Sequence, residues 1–148
     1  MALNHITFYS KLMEMEMGID VIIPENKWGY SLAERPKDYK YPVLWLLCGG
    51  GFDYTDWQRY TAIELYAAQA GIAVVMTSAY YSGYLDIIFG DYKYFSVITD
   101  AIYKLAVKLF SLSEKIEGNF FAGFSMGGYA AFKWAISNSV KFWVCGVF

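Results

Sequence analysis

Three apolar runs, VLWLL (Val43–Leu47), IAVVM (Ile72–Met76) and GNFFAGF (Gly118–Phe124), set the tightest limit on the fold of this chain. None alternates apolar with polar residues, as a strand with one wet face would. Each therefore reads as a strand covered on both sides. Helical spacing fills the intervals. Ile63, Tyr66, Ala67 and Ala70 recur along a helix expected from Asp56 to Ala70, with Thr55 or Asp56 as its start and Gly71 as its stop. Phe95, Ile98, Ile102, Leu105 and Leu109 form one stripe of a longer helix from about Asp91 to Leu112, with Lys104 and Lys108 facing away. Strands alternating with helices require right-handed crossovers and a mostly parallel sheet sandwiched between helices. The expected class is α/β, as a single domain over residues 1–148.

The ends complete the pattern. HITFYS (His5–Ser10) and GIDVIIP (Gly18–Pro24) read as two early strands joined by a hairpin, and FWVCGVF (Phe142–Phe148) as a last apolar strand. The segment from Asn26 to Pro42 carries turn formers and charge without a sustained period and reads as the longest connection.

Composition excludes more than it identifies. A net charge of −2 with no basic stripe argues against a nucleic-acid partner. The longest apolar runs fall far short of the roughly 20 residues of a membrane helix, and the N-terminus lacks the pattern of a signal peptide. A cytoplasmic protein with no membrane partner is expected. Cys48 and Cys145 stand apart from each other and from the single histidine, His5, so neither a metal site nor a disulfide framework is signalled, and no cofactor is expected. The 57% hydrophobic content exceeds the usual range, which raises the question of apolar surface awaiting a partner.

The motif that carries chemistry is GFSMG, Gly123 to Gly127. A G-x-S-x-G sequence arises by chance in on the order of one such chain in twenty, so the spacing alone is a modest signal. Its position, after a buried strand and before the helical MGGYAAFKWAIS, supplies the meaning. There a serine sits on a strained turn with its hydroxyl above the sheet, and glycines remove side chains that would collide. The helix N-terminus behind Ser125 favours an anionic intermediate.

Together, EKIEGNFFAGFSMGGYAAFKWA, YPVLWLLCGG, DWQRYTAIELYAAQAGIAVVM and GDYKYF resemble the esterase D group of α/β-hydrolases, which includes tributyrin esterases, S-formylglutathione hydrolases, feruloyl esterases and mycolyltransferases. The resemblance runs in order over nearly the whole chain. It implies that Ser125 is the nucleophile and that the backbone N–H groups of Gly50 and Met126 form the oxyanion hole. It also implies a small-molecule acyl ester or thioester as substrate. The chain departs from the group's pattern at Cys48, where relatives often carry histidine, and at Thr77, where proline is common. Cys48 reads as a small buried side chain. Tyr80, Tyr81 and Tyr84 read first as packing and second as the lining of an acyl or alcohol pocket.

A serine hydrolase also needs a base and a carboxylate, which in this fold follow the serine in the order acid, then histidine. The 23 residues after Ser125 (148 − 125) contain no Asp, Glu or His. His5 is expected at a sheet edge, far from the elbow. The chain thus reads as the N-terminal portion of an α/β-hydrolase, truncated after about the sixth strand, with its acid and histidine elsewhere. Two functions compete: a serine carboxylesterase, or a catalytically inactive remnant or interaction module of the same fold. A phosphate or nucleotide binder using CGGGF is a weaker third, because neither phosphate-loop pattern is present. The unfinished edge also suggests a homo-oligomer.

Overall fold

The computed structural model describes residues 1–25, 36–137 and 144–148. Among them six strands, β1 (Ala2–Ser10), β2 (Met15–Ile23), β3 (Val43–Leu47), β4 (Ala73–Thr77), β5 (Asn119–Gly123) and β6 (Val144–Val147), form one sheet in the order β1-β2-β4-β3-β5-β6. The β1–β2 hairpin and the β2–β4 pair are antiparallel, whereas β4–β3, β3–β5 and β5–β6 are parallel. This is the mostly parallel α/β sheet expected from the sequence. Of the connection from Asn26 to Pro42, residues 26–35 lie outside the described residues, as do Phe142 and Trp143 of the last expected strand.

Helices cover both faces because the central strands are apolar on both. On one face Ile19, Val21, Trp45 and Phe121 pack beneath α3 (Tyr94–Ser96), α4 (Tyr103–Phe110) and α5 (Met126–Ser137). Trp45 is the centre of this core, with ring centroids 5.0 Å from Tyr103, 6.1 Å from Phe121 and 6.0 Å from Trp134. Its indole N–H is not left bare: Asn119 Oδ1 accepts it at 3.0 Å, and the Asn119 amide donates to the carbonyls of Ser113 and Lys115. On the other face Ile22, Leu46, Val74, Met76 and Ala122 meet Ile63 and Ala67 of α2 (Ile63–Ala70).

Two helices differ from the sequence expectation. The expected Asp56–Ala70 helix is broken into α1 (Asp56–Tyr60) and α2, with Thr61 extended between them at φ −138° and ψ 167°. The Thr61 hydroxyl donates to the Trp57 carbonyl and accepts the Ile63 N–H, so one side chain satisfies backbone groups on both sides of the break. Of the four expected core positions, Ile63 and Ala67 are buried while Tyr66 and Ala70 are exposed. Nor does Thr55 cap α1 through its side chain; the Asp53 carboxylate instead accepts both the Thr55 N–H and its hydroxyl at 2.7 Å.

The Asp91–Leu112 helix begins at Tyr94 and carries a π-helical turn, Val97–Ile102, between α3 and α4. One extra residue in that turn rotates the remainder of the helix by about 100°. Ile98, Ile102 and Ala106 are consequently buried, while Leu109, assigned to the core by regular spacing, is exposed.

Candidate active site

The β5–α5 junction is a sharp elbow, and backbone sterics explain its composition. Ser125 has φ +53°, a left-handed conformation that a serine adopts only at a cost of about 1–3 kcal/mol. A Cβ on Gly123 would lie 2.4 Å from the carbonyl carbon and oxygen of Gly127. One on Gly127 would lie 2.4 Å from the Leu47 oxygen and 2.5 Å from the Cys48 oxygen. Both conflicts are with backbone, so no rotamer relieves them. The motif's two glycines are what let the helix start against its own strand and against the end of β3.

Around the elbow the backbone is closely held. Gly127 N–H donates to the Phe124 carbonyl at 2.9 Å and Tyr129 N–H to the Ser125 carbonyl at 3.1 Å. Beyond the last strand, Phe148 accepts the Ser125 N–H at 2.8 Å and donates its own N–H to Gly123 at 3.1 Å. The serine side is exposed at the carboxyl ends of the parallel strands.

The loop after β3 ends at the same edge. A Cβ on Gly50 would stand 3.7 Å from the Met126 sulfur and 3.5 Å from the Tyr81 ring, so the two segments adjoin. Among the described residues, neither the Gly50 N–H nor the Met126 N–H donates to a protein acceptor. Gly51, at φ +79°, is fixed by its N–H to the Tyr80 carbonyl at 3.2 Å. Gly83 N–H donates to the Met126 sulfur at 3.2 Å, which ties the loop after β4 to the elbow.

Cys48 is fully buried, and burial pushes its thiol pKa up despite a 3.6 Å contact with the Tyr84 hydroxyl. Tyr84 is itself buried, donates to the Cys48 carbonyl at 3.0 Å, and has its own pKa driven far above the usual phenol value by desolvation. It is therefore a fixed donor and part of the packing. Tyr81 stands exposed over Gly50 and Gly51, and Tyr80 beside it is exposed too. Cys48 and Cys145 are both free thiols.

His5 lies on the edge strand and takes part in a separate cluster. Its Nδ1 pairs with Asp20 Oδ1 at 2.5 Å, its Nε2 meets the Tyr54 hydroxyl at 3.3 Å, and Gln58 donates to the other Asp20 oxygen at 2.9 Å. The sheet register runs His5, Asp20, Met76, Leu46, Ala122 across successive strands. Four strand spacings separate His5 from the strand that carries the elbow, about 19 Å. His5 does not reach Ser125.

Sequence reasoning missed an aromatic cavity of about 720 Å³ beside the elbow, lined by Phe52, Asp56, Trp57, Tyr60, Thr61, Phe124 and Phe148. Phe124 is edge-on to Phe52 at 5.3 Å and to Trp57 at 5.7 Å. The Trp57 indole N–H is buried and has no protein partner among the described residues. The one available signal was the phenylalanine inside the motif, whose side chain must leave the elbow on the side opposite α5.

Sheet order, elbow and glycine loop together define an α/β-hydrolase fold. Several of the solved structures it resembles, and the curated protein, are named as esterases or serine hydrolases. The chain is 33% identical to FphF, a fluorophosphonate-binding serine hydrolase of Staphylococcus aureus, with a TM-score of 0.86 over 97% of this chain and 55% of that one. It is also 33% identical to an S-formylglutathione hydrolase (FrmB) from Staphylococcus aureus, with a TM-score of 0.79 over 96% and 55% of the two chains. An acetyl esterase of Caldicellulosiruptor saccharolyticus is 28% identical over 142 residues, 96% of this chain and 52% of that protein. No family model matches. The chain spans about half the length of the relatives it matches.

Proposed function

We propose that this chain carries the nucleophile and oxyanion hole of a serine carboxylesterase of the esterase D type, acting on short-chain acyl esters or thioesters. The observation that carries the reading is Ser125, held at φ +53° on an elbow whose flanking glycines cannot bear a Cβ. Strain of this kind is retained where it positions a reacting group. In the proposed reaction the Ser125 hydroxyl oxygen attacks the acyl carbon. The N–H groups of Gly50 and Met126 stabilise the charge that develops on the carbonyl oxygen of the tetrahedral intermediate, whose collapse expels the alcohol or thiol and leaves an acyl-serine that water then hydrolyses. The acetyl esterase and S-formylglutathione hydrolase relatives support a small acyl group.

The base that would take the serine proton is not supplied by His5, and no His, Asp or Glu follows Ser125. The second reading is a catalytically inactive remnant or interaction module of the same fold. The two are separated by p-nitrophenyl acetate turnover of the 148-residue chain, and of this chain joined to the part of the acetyl esterase that it does not cover. The short chain should stay within about 10³–10⁴-fold of the uncatalysed rate, the residue left when triad members are removed. The joined chain should turn over well above that and lose it on Ser125→Ala. A joined chain that folds yet stays inactive overturns the esterase reading.

A further inference from the structure

Gly50 is the middle residue of a glycine run, Gly49 to Gly51, which has no conformational preference of its own. The direction of its N–H is therefore set by whatever holds the chain on either side. Both holds come from the loop after β4. On one side the buried Tyr84 hydroxyl donates to the Cys48 carbonyl at 3.0 Å; on the other the Tyr80 carbonyl accepts the Gly51 N–H at 3.2 Å. The Cys48 oxygen belongs to the peptide that adjoins the one bearing the Gly50 N–H. It is also pressed against the start of α5, since a Cβ on Gly127 would stand 2.5 Å from it.

Tyr84 reaches this position through a strained turn. Gly83 and Tyr84 both have positive φ, +63° and +51°, and the Leu85 N–H closes the turn on the Ser82 carbonyl at 3.3 Å. Glycine, asparagine and aspartate dominate such turns, and a tyrosine is held there only where its surroundings dictate it. Packing asks for a buried ring and no more. It calls for neither the hydroxyl on Cys48 nor the bonds that the same turn makes to the helix behind Ser125. Those bonds are the Gly83 N–H to the Met126 sulfur at 3.2 Å and the Lys133 ammonium to the Tyr84 carbonyl at 3.4 Å. Lys133 is itself steadied over the Phe95 ring, 4.0 Å from its centroid. One short turn thus joins the loop that carries Gly50 to the helix that carries Met126.

We infer that Tyr84 is a positioning residue of the oxyanion hole, fixing the Gly50 N–H relative to the Met126 N–H through the Cys48 carbonyl. What the two donors do rests on the esterase reading; how they are held does not. Donors aimed in advance stabilise a developing oxyanion without having to turn during the reaction. Burial keeps the phenol proton in place, so the hold on Cys48 persists at any pH the fold tolerates.

Two readouts separate this inference from the esterase reading and from stability alone. In the 148-residue chain, amide NMR follows Gly50 and Met126 under folded conditions. Tyr84→Phe should shift or broaden both signals and leave that of Gly71, at the opposite edge of the sheet, in place. In the joined chain, Tyr84→Phe should lower kcat for p-nitrophenyl acetate about tenfold with KM held within about twofold, short of the roughly 10²–10³ that follows outright loss of a donor. Tyr92→Phe, which takes an exposed phenol hydroxyl from the same loop, should leave kcat unchanged. Unmoved Gly50 and Met126 signals overturn the inference, as does an unchanged kcat or a rise in KM in place of the fall in kcat. A lower urea midpoint with neither readout altered also overturns it and assigns Tyr84 to packing. A joined wild type without turnover overturns the esterase reading instead, and the two amide signals then decide the inference. If Tyr84→Phe does not fold, Lys133→Met, which keeps the stem and frees the Tyr84 carbonyl, must move the same two signals, and their failure to move overturns the inference.

Discussion

Glycine is not one residue in this molecule but two, according to what a methyl group would meet. At Gly71 nothing lies within 4 Å of an added Cβ, and only the positive φ of +68° resists it. Gly71→Ala should therefore cost about 1–2 kcal/mol, the strain of one left-handed alanine. At Gly127 the methyl would meet two backbone oxygens at 2.4 and 2.5 Å, and the end of β3 must move. Gly127→Ala should cost at least about 3 kcal/mol, in the range of overpacked or strained core positions. Urea titration of the two variants checks the contrast; equal losses would mean that the elbow yields more easily than its contacts imply. The spacing of GFSMG was legible in the sequence because glycine can be read where backbones touch. What each glycine touches was not, because Leu47 and Cys48 are about 80 positions away along the chain.

The Cys48 thiol sets a second residue-scale expectation. Desolvation raises its pKa above the ordinary 9.0, so the folded chain holds that proton more tightly than the unfolded chain does. The stability this contributes is complete below the unfolded value and is lost as pH rises from about 9 through the folded value. Cys48→Ala should flatten the fall of the urea midpoint just above pH 9, leaving a later decline from buried tyrosines such as Tyr84.

At the scale of elements, the strands were readable to within a few residues because unbroken apolar runs mark burial on both sides. The helices were less so. Regular spacing assigned Leu109 inward, and the π turn at Val97–Ile102 put Ala106 there instead. Nothing in the local composition marks that turn. The turn behaves as a one-residue insertion. Deleting the exposed Asp100 should leave a regular helix in which Ile102 and Ala106 fall three and seven positions after Ile98, still on one face. Circular dichroism should be unchanged and stability within about 1 kcal/mol, the loss of the exposed Asp100–Lys104 pair included. Collapse of the fold would show that the π turn itself is required. The break at Thr61 was similarly hidden, because a threonine within a helical pattern announces nothing until its hydroxyl is seen on the Trp57 carbonyl.

For the whole molecule, sheet class, strand identity and the elbow followed from the chain, whereas the aromatic cavity beside Phe124 and the exposure of Ile88 and Phe89 in the loop after β4 did not. Both depend on which residues the fold leaves without neighbours, and periodicity reports only those that have them. The two hydrogen bonds between Phe148 and the elbow carry a consequence for the clock of the molecule. β6 is half exposed along its length, which puts it among the segments that open most readily. The Ser125 amide is held by the Phe148 carbonyl, so its proton can pass to solvent only when the chain beyond β6 lets go. Amide exchange at Ser125 should then run at the pace of Phe148 and Val147, far faster than at Trp45 or Phe121. An amide at Ser125 as slow as those core positions would mean that β5 alone keeps the elbow closed. If the paces agree, the strained serine at the centre of the elbow keeps time with a loosely held strand at the sheet's edge.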